Sequence, residues 1–73
     1  MDTSRGTLEI FLNGEARQLP VGATVLDLVA ELGRDPRTVA VERNGAIVRR
    51  GDYGAAVLAA GDRLEVVHFV QGG

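Results

Sequence analysis

Thr7-Leu-Glu-Ile-Phe-Leu-Asn-Gly-Glu-Ala-Arg-Gln-Leu-Pro-Val-Gly-Ala-Thr-Val-Leu-Asp-Leu-Val-Ala-Glu-Leu-Gly33 holds two strands and a helix in one short run. Leu8, Ile10 and Leu12 alternate with Thr7, Glu9 and Phe11, so Thr7 to Leu12 is expected to be a strand. Asn13-Gly14 accepts positive φ at both central turn positions, a strong hairpin signal, and Glu15 to Leu19 supplies the returning strand. Pro20-Val-Gly22 stops the hairpin. Thr24 then sits where an N-cap is needed, with Asp27 three residues on, where its carboxylate can reach back to exposed amides and meets the helix dipole favourably. Val25, Leu28, Val29 and Leu32 recur at helical spacing, leaving Asp27, Ala30 and Glu31 toward solvent, and Gly33 closes the helix. A helix of about two turns does not persist alone, so it must dock on a sheet.

Beyond Gly33 the pattern returns to strands. Arg34-Asp-Pro-Arg37 is a connecting loop and Val39 to Arg43 a third strand, followed by a second Asn-Gly turn at Asn44-Gly45. Ile47-Val48 is a brief apolar pair, a short strand or loop, and Tyr53 to Ala60 fits either a short helix or an irregular crossing. Gly61-Asp62 turns the chain into a last strand, Arg63 to Val70. A hairpin followed by a helix crossing one face predicts an α+β fold, a mixed sheet of four to five strands with one main helix packed on one side. The expected division is a frayed N-terminal extension over 1–6, the folded domain over 7–69 and a flexible tail over 70–73.

Composition narrows the function classes. Seventy-three residues allow one domain burying only about 60% of its unfolded surface, which disfavours a large cofactor pocket and a self-sufficient enzyme. Cysteine is absent, so disulfides, thiolate metal sites, thiol catalysis and a persulfide on this chain are excluded. All eight basic residues are arginine. Net charge is −2 with the signs interspersed and no arginine cluster larger than Arg49-Arg50, so a nucleic-acid footprint is missing. No apolar run is long enough to span a bilayer or placed as a secretory signal, and a cytoplasmic location without membrane attachment is expected.

The sequence closes on Gly72-Gly73, directly after the last strand. Two residues without Cβ adopt backbone angles barred to others and fit a narrow channel, so the expectation is a glycyl carboxylate presented to another protein. From Val70 to Gly73 a fully extended tail reaches roughly 13 Å, at about 3.3 Å per residue.

Asn13-Gly14, Thr24-Val-Leu-Asp-Leu28, Val39-Ala-Val-Glu-Arg-Asn-Gly45, Ile47-Val-Arg-Arg50, Gly61-Asp62 and Gly72-Gly73 occur in that order. With this string the chain, from Leu8 to Gly73, resembles the ThiS family, the sulfur carrier proteins of thiamine biosynthesis. Arg49 stands where family members often carry proline. The resemblance implies a ubiquitin-like β-grasp fold and a carrier that does no chemistry alone and binds no cofactor. It also implies three kinds of partner. An E1-like, ThiF-like adenylyltransferase uses ATP to convert the terminal glycine to an acyl adenylate; a sulfur donor such as a cysteine desulfurase or rhodanese-type protein supplies sulfur; a ThiG-like thiazole synthase consumes the thiocarboxylate. Carried over, the modified residue is Gly73, with Gly72, Gln71 and Val70 forming the tail. Other acceptors, molybdopterin, tRNA or a cysteine precursor, and a ubiquitin-like protein modifier stand as alternatives; a lysine-free chain cannot build lysine-linked chains on itself.

In the last strand Leu64, Val66 and His68 point one way, Glu65, Val67 and Phe69 the other. By analogy with ubiquitin-like folds, Leu64 and Val66 face the core, leaving Val67 and Phe69 outward beside Ala40 as a partner-docking patch next to the tail. Burial of Phe69 over the sheet edge is the alternative. Arg50, beside Arg49, is a further docking candidate because its guanidinium fork suits phosphate or acidic groups. His68 is the only histidine and, without cysteine, belongs to no metal constellation. Asp27, Glu31 and Asp35 are explained by capping and solvation rather than by paired-carboxylate catalysis, and the glycines at 51 and 54 make no phosphate-binding fingerprint.

Overall fold

The computed structural model describes residues 6–69; residues 1–5 and 70–73, the bulk of the expected N-terminal extension and the whole expected tail, lie outside the described residues. The elements follow the expected order: β1 (Thr7–Leu12), β2 (Glu15–Pro20), α1 (Val25–Glu31), β3 (Val39–Arg43), β4 (Ala46–Val48) and β5 (Arg63–His68). They build one five-stranded sheet in the order β2-β1-β5-β3-β4. β1 pairs parallel with β5 and every other neighbouring pair is antiparallel. This is the mixed sheet with one helix that the β-grasp expectation describes.

Local chemistry accounts for each element. Asn13 (φ 49°) with Gly14 (φ 87°), and Asn44 (φ 52°) with Gly45 (φ 88°), take the two successive left-handed positions that a tight hairpin turn demands. At the start of α1, the Thr24 N–H donates to Asp27 Oδ2 at 3.0 Å while the Asp27 N–H donates to Thr24 Oγ1 at 3.1 Å, a reciprocal capping box. At its end Gly33 (φ 73°) donates to the Ala30 carbonyl and Arg34 to that of Val29, the paired bonds of a Schellman motif.

The fully buried Val25, Leu28 and Val29 of α1 sit over Ile10, Leu19, Val41 and Leu64 of the sheet, with half-buried Leu8, Leu12 and Leu32 at the margin. Each such aliphatic side chain contributes about 1.5–3 kcal/mol relative to exposure. The cluster is what holds a two-turn helix in place.

Several boundaries differ from expectation: β2 runs through Pro20, which pairs with Thr7, rather than ending at Leu19, and β4 starts at Ala46 rather than Ile47. β5 is a strand over Arg63–His68 and the Phe69 N–H still donates to the Thr38 carbonyl at 3.0 Å, while Val70, the expected last strand residue, lies outside the described residues. The loop at Arg34–Arg37 runs into a 3-10 turn over Pro36–Thr38 because Asp35 caps it, accepting from the Arg37 N–H at 2.9 Å. The ambiguous stretch from Tyr53 is an irregular crossing: after a 3-10 turn at Arg50–Asp52, buried Tyr53 donates its hydroxyl to the Val39 carbonyl at 3.3 Å, and Val57 forms an isolated antiparallel bridge with Thr24.

Candidate functional site

The sheet has one face under α1 and one open face, and strand alternation sorts residues between them. Leu64, buried, and Val66, half-buried, point to the helix side, as expected from sequence. On the open face Val67 lies directly opposite Ala40 in the β3–β5 register and is 57% exposed. Phe69, one residue past the strand, is 38% exposed, so it is not tucked over the sheet edge into the core. Ala40, Val67 and Phe69 therefore form a contiguous apolar strip leading to residue 70.

Arg50 meets this strip at its far end. A shallow depression is lined by Asp35, Arg37, Thr38, Arg50 and Phe69. Within it Arg37 is held by Asp35 through two contacts, Nε to Oδ1 at 3.2 Å and a terminal nitrogen to Oδ2 at 2.9 Å. The hydrogen bond from the Arg37 side chain, helped by that from its backbone, holds the Asp35 carboxyl below the usual carboxylate range. Arg50 forms no ion pair among the described residues, which leaves its guanidinium available beside Phe69. Val70, Gln71, Gly72 and Gly73 lie outside the described residues.

What steadies the tail-bearing strand was not visible in sequence. Asn13, read there as a turn residue, also reaches β5: the Val66 N–H donates to its Oδ1 at 3.0 Å and its Nδ2 donates to the Val66 carbonyl at 3.3 Å. Asn44 holds the other end of β5: its N–H donates to the Arg63 carbonyl at 2.8 Å and its Oδ1 accepts from the Arg63 N–H at 2.9 Å. Beneath it lies Asp62, only 7% exposed. Its Oδ2 accepts from Arg43 Nε at 2.9 Å and the Ala59 N–H at 2.8 Å, and its Oδ1 from Asn44 Nδ2 at 3.1 Å. Burial pushes the Asp62 carboxyl up, but the hydrogen bonds from Ala59, Asn44 and Arg43 outweigh it and hold the group below its ordinary value. Arg43 also donates to the Val57 carbonyl at 2.9 Å, tying the crossing to the sheet.

The remaining candidates separate. His68 is exposed. Asp27 is committed to capping, Glu31 lies 3.9 Å from Arg17, and Asp35 is paired with Arg37, so the three carboxylates build no common site. Among the described residues, no group of three or more histidine, aspartate or glutamate side chains is gathered as a metal site would require. No described helix is long and apolar enough to cross a membrane.

The family model described as "ThiS family" matches residues 10–73. The sulfur carrier protein ThiS of Bacillus subtilis is 40% identical over 50 residues, covering 68% of this chain and 76% of the relative. Thiazole synthases of Magnetococcus marinus and Paramagnetospirillum magneticum are 52% and 44% identical over 66 residues, 90% of this chain. The chain spans 20% of the length of each of these two relatives. Among solved structures, the crystal structure of the thiamine biosynthesis protein ThiS from Geobacter metallireducens superposes with a TM-score of 0.77 at 26% identity, covering 90% of this chain and all of that one. A designed protein based on a ubiquitin template superposes at 0.53 with 22% identity over 93% of this chain and 96% of its own, which places the fold among the ubiquitin-like β-grasp domains.

Proposed function

The chain belongs to the ThiS family, the non-enzymatic sulfur carriers of thiamine biosynthesis, and from that premise we propose that sulfur travels on it as a thiocarboxylate at Gly73. The observation that carries this reading is that the family match runs through the Gly72-Gly73 pair itself. A carboxylate is a poor electrophile because attack must expel oxide, whereas an adenylate offers a stabilised leaving group. A Gly73 carboxylate oxygen attacks the α-phosphorus of ATP in the adenylyltransferase and pyrophosphate leaves. Hydrosulfide then adds to the acyl carbon and AMP departs, leaving the thiocarboxylate; where the sulfur arrives as a protein persulfide, the acyl disulfide formed first is cleaved by a thiol reductant. With neither cysteine nor any other thiol on the chain, the acyl carbon is where such sulfur is carried.

The apolar strip of Ala40, Val67 and Phe69, with Arg50 at its end, is the surface on which the adenylyltransferase docks. Gly72, Gln71 and Val70 thread its channel. A thiazole synthase is the consumer, a reading supported by the two thiazole synthases that contain a segment like this chain within much longer polypeptides. Incubation with the adenylyltransferase, ATP and a sulfur donor raises the intact mass by about 16 Da, oxygen exchanged for sulfur at an activated acyl carbon. Deletion of Gly73 abolishes that gain. An unchanged mass for the wild type refutes the proposal.

A further inference from the structure

We infer that β5 carries an open pairing edge next to the tail, and that an extended backbone segment of the protein taking up the tail adds there as an extra strand. The inference rests on the docking reading above and deepens it.

Alternation along β5 fixes which backbone groups face which neighbour. The Phe69 N–H donates to Thr38 and the Arg63 carbonyl accepts from Asn44, so odd-numbered residues pair toward β3. The even-numbered ones turn to the β1 side: the Leu64 carbonyl accepts from the Asn13 N–H at 2.8 Å, and Val66 is bonded through both N–H and C=O to the Asn13 side chain. β1 stops at Leu12. The Asn13 amide stands in for one more residue of that strand and then the pairing ends. His68, the next even residue, turns its N–H and C=O to a side of the sheet where, among the described residues, no strand continues. Alongside runs a groove lined by Leu12, Asn13, Leu32, Arg34, Val66 and His68.

Exposed edges are normally blunted, because free N–H and C=O groups recruit other strands. The two outer edges here follow that rule: β4 is three residues long, and β2 ends in Pro20. The notch beside His68 carries neither device. Residue 70 follows two positions after His68 in the chain, so a protein that takes in residues 70–73 comes within reach of this edge. Strand addition gives it main-chain hydrogen bonds independent of side-chain identity.

The test exploits the direction of one N–H. His68→Pro removes the donor facing the notch and breaks no bond to β3, whereas Val67→Pro removes one directed at β3. With the adenylyltransferase as probe, measured by calorimetry, H68P is expected to bind roughly 5- to 10-fold more weakly, the value of about one hydrogen bond. His68→Ala, which keeps the backbone donor, binds like wild type. In parallel, the wild-type His68 amide is expected to gain hydrogen-exchange protection in the complex. Equal affinity of H68P and wild type, or no added protection at His68, overturns the inference. If H68P does not fold, the exchange measurement decides alone. Failure of the carrier reading shows separately, as absence of the mass gain in the wild-type chain.

Discussion

Asn13 and Val66, 53 positions apart, hold each other in both directions, the amide side chain of the first replacing the backbone partner that the second would otherwise lack. This pair couples the first hairpin turn to the strand that leads into the tail. A residue selected for positive φ thus also splints β5.

Asn13→Gly separates the two duties. Glycine keeps the left-handed turn geometry at little cost, but removes both bonds to Val66. Urea unfolding is expected to show a loss of about 1–2 kcal/mol, and the Val66 amide should exchange faster than other β5 amides. A loss confined to turn residues, with Val66 protected as before, contradicts this role.

Asp62 makes the acid limb of stability predictable. Its carboxyl titrates below its ordinary value in the folded chain, so its contribution is complete above the unfolded value of about 3.9 and is lost as pH falls through the lower folded value. Asp62→Asn is therefore expected to flatten the decline in stability below about pH 4. At neutral pH Asp62→Ala should cost about 2–3 kcal/mol, because Arg43, Asn44 and the Ala59 N–H lose their acceptor. Asp35 shifts in the same direction, so Asp35→Asn serves as the exposed comparison in the same pH series.

Two leucines on α1 should respond in opposite ways. Leu28 is fully buried and Leu26 is 41% exposed. Leu28→Ala is expected to cost about 2–5 kcal/mol, a large share of what so small a domain possesses. Leu26→Ala should stay within about 0.5 kcal/mol, as measured by chemical denaturation.

On the open face, Val67→Asp tests docking without touching the core. Val67 is 57% exposed, so the change should cost less than about 1 kcal/mol of stability. A charge in the centre of the apolar strip should nevertheless slow thiocarboxylate formation by at least about tenfold, measured by intact mass over time. Wild-type rates in a folded V67D would remove Val67 from the interface.

Much of the fold was legible because its signals are local. Thr7–Leu12 and Val39–Arg43 follow from alternation, the two Asn-Gly turns from backbone freedom, and α1 from Thr24, Asp27 and Gly33. The crossing after Tyr53 was not, since what orders it is remote: the Tyr53 hydroxyl on Val39, Arg43 on the Val57 carbonyl and the Thr24–Val57 bridge. The side-chain roles of Asn13, Asn44 and Asp62 were missed for the same reason. Each had an adequate local explanation as a turn residue, and nothing in sequence points to a partner on another strand.

The sequence by itself determined the order of the main strands and the helix, the helix caps, the alternation along β1 and the chemistry open to a chain without cysteine or lysine. Those properties depend on neighbours within a few residues or on composition alone. Only the tertiary structure decided the register that sets Ala40 opposite Val67, that Arg50 comes to lie beside Phe69, and that β5 is splinted by Asn13 with no further strand beside His68 among the described residues. These depend on strand order and register, which are set when α1 buries Val25, Leu28 and Val29 against the sheet and brings distant segments together.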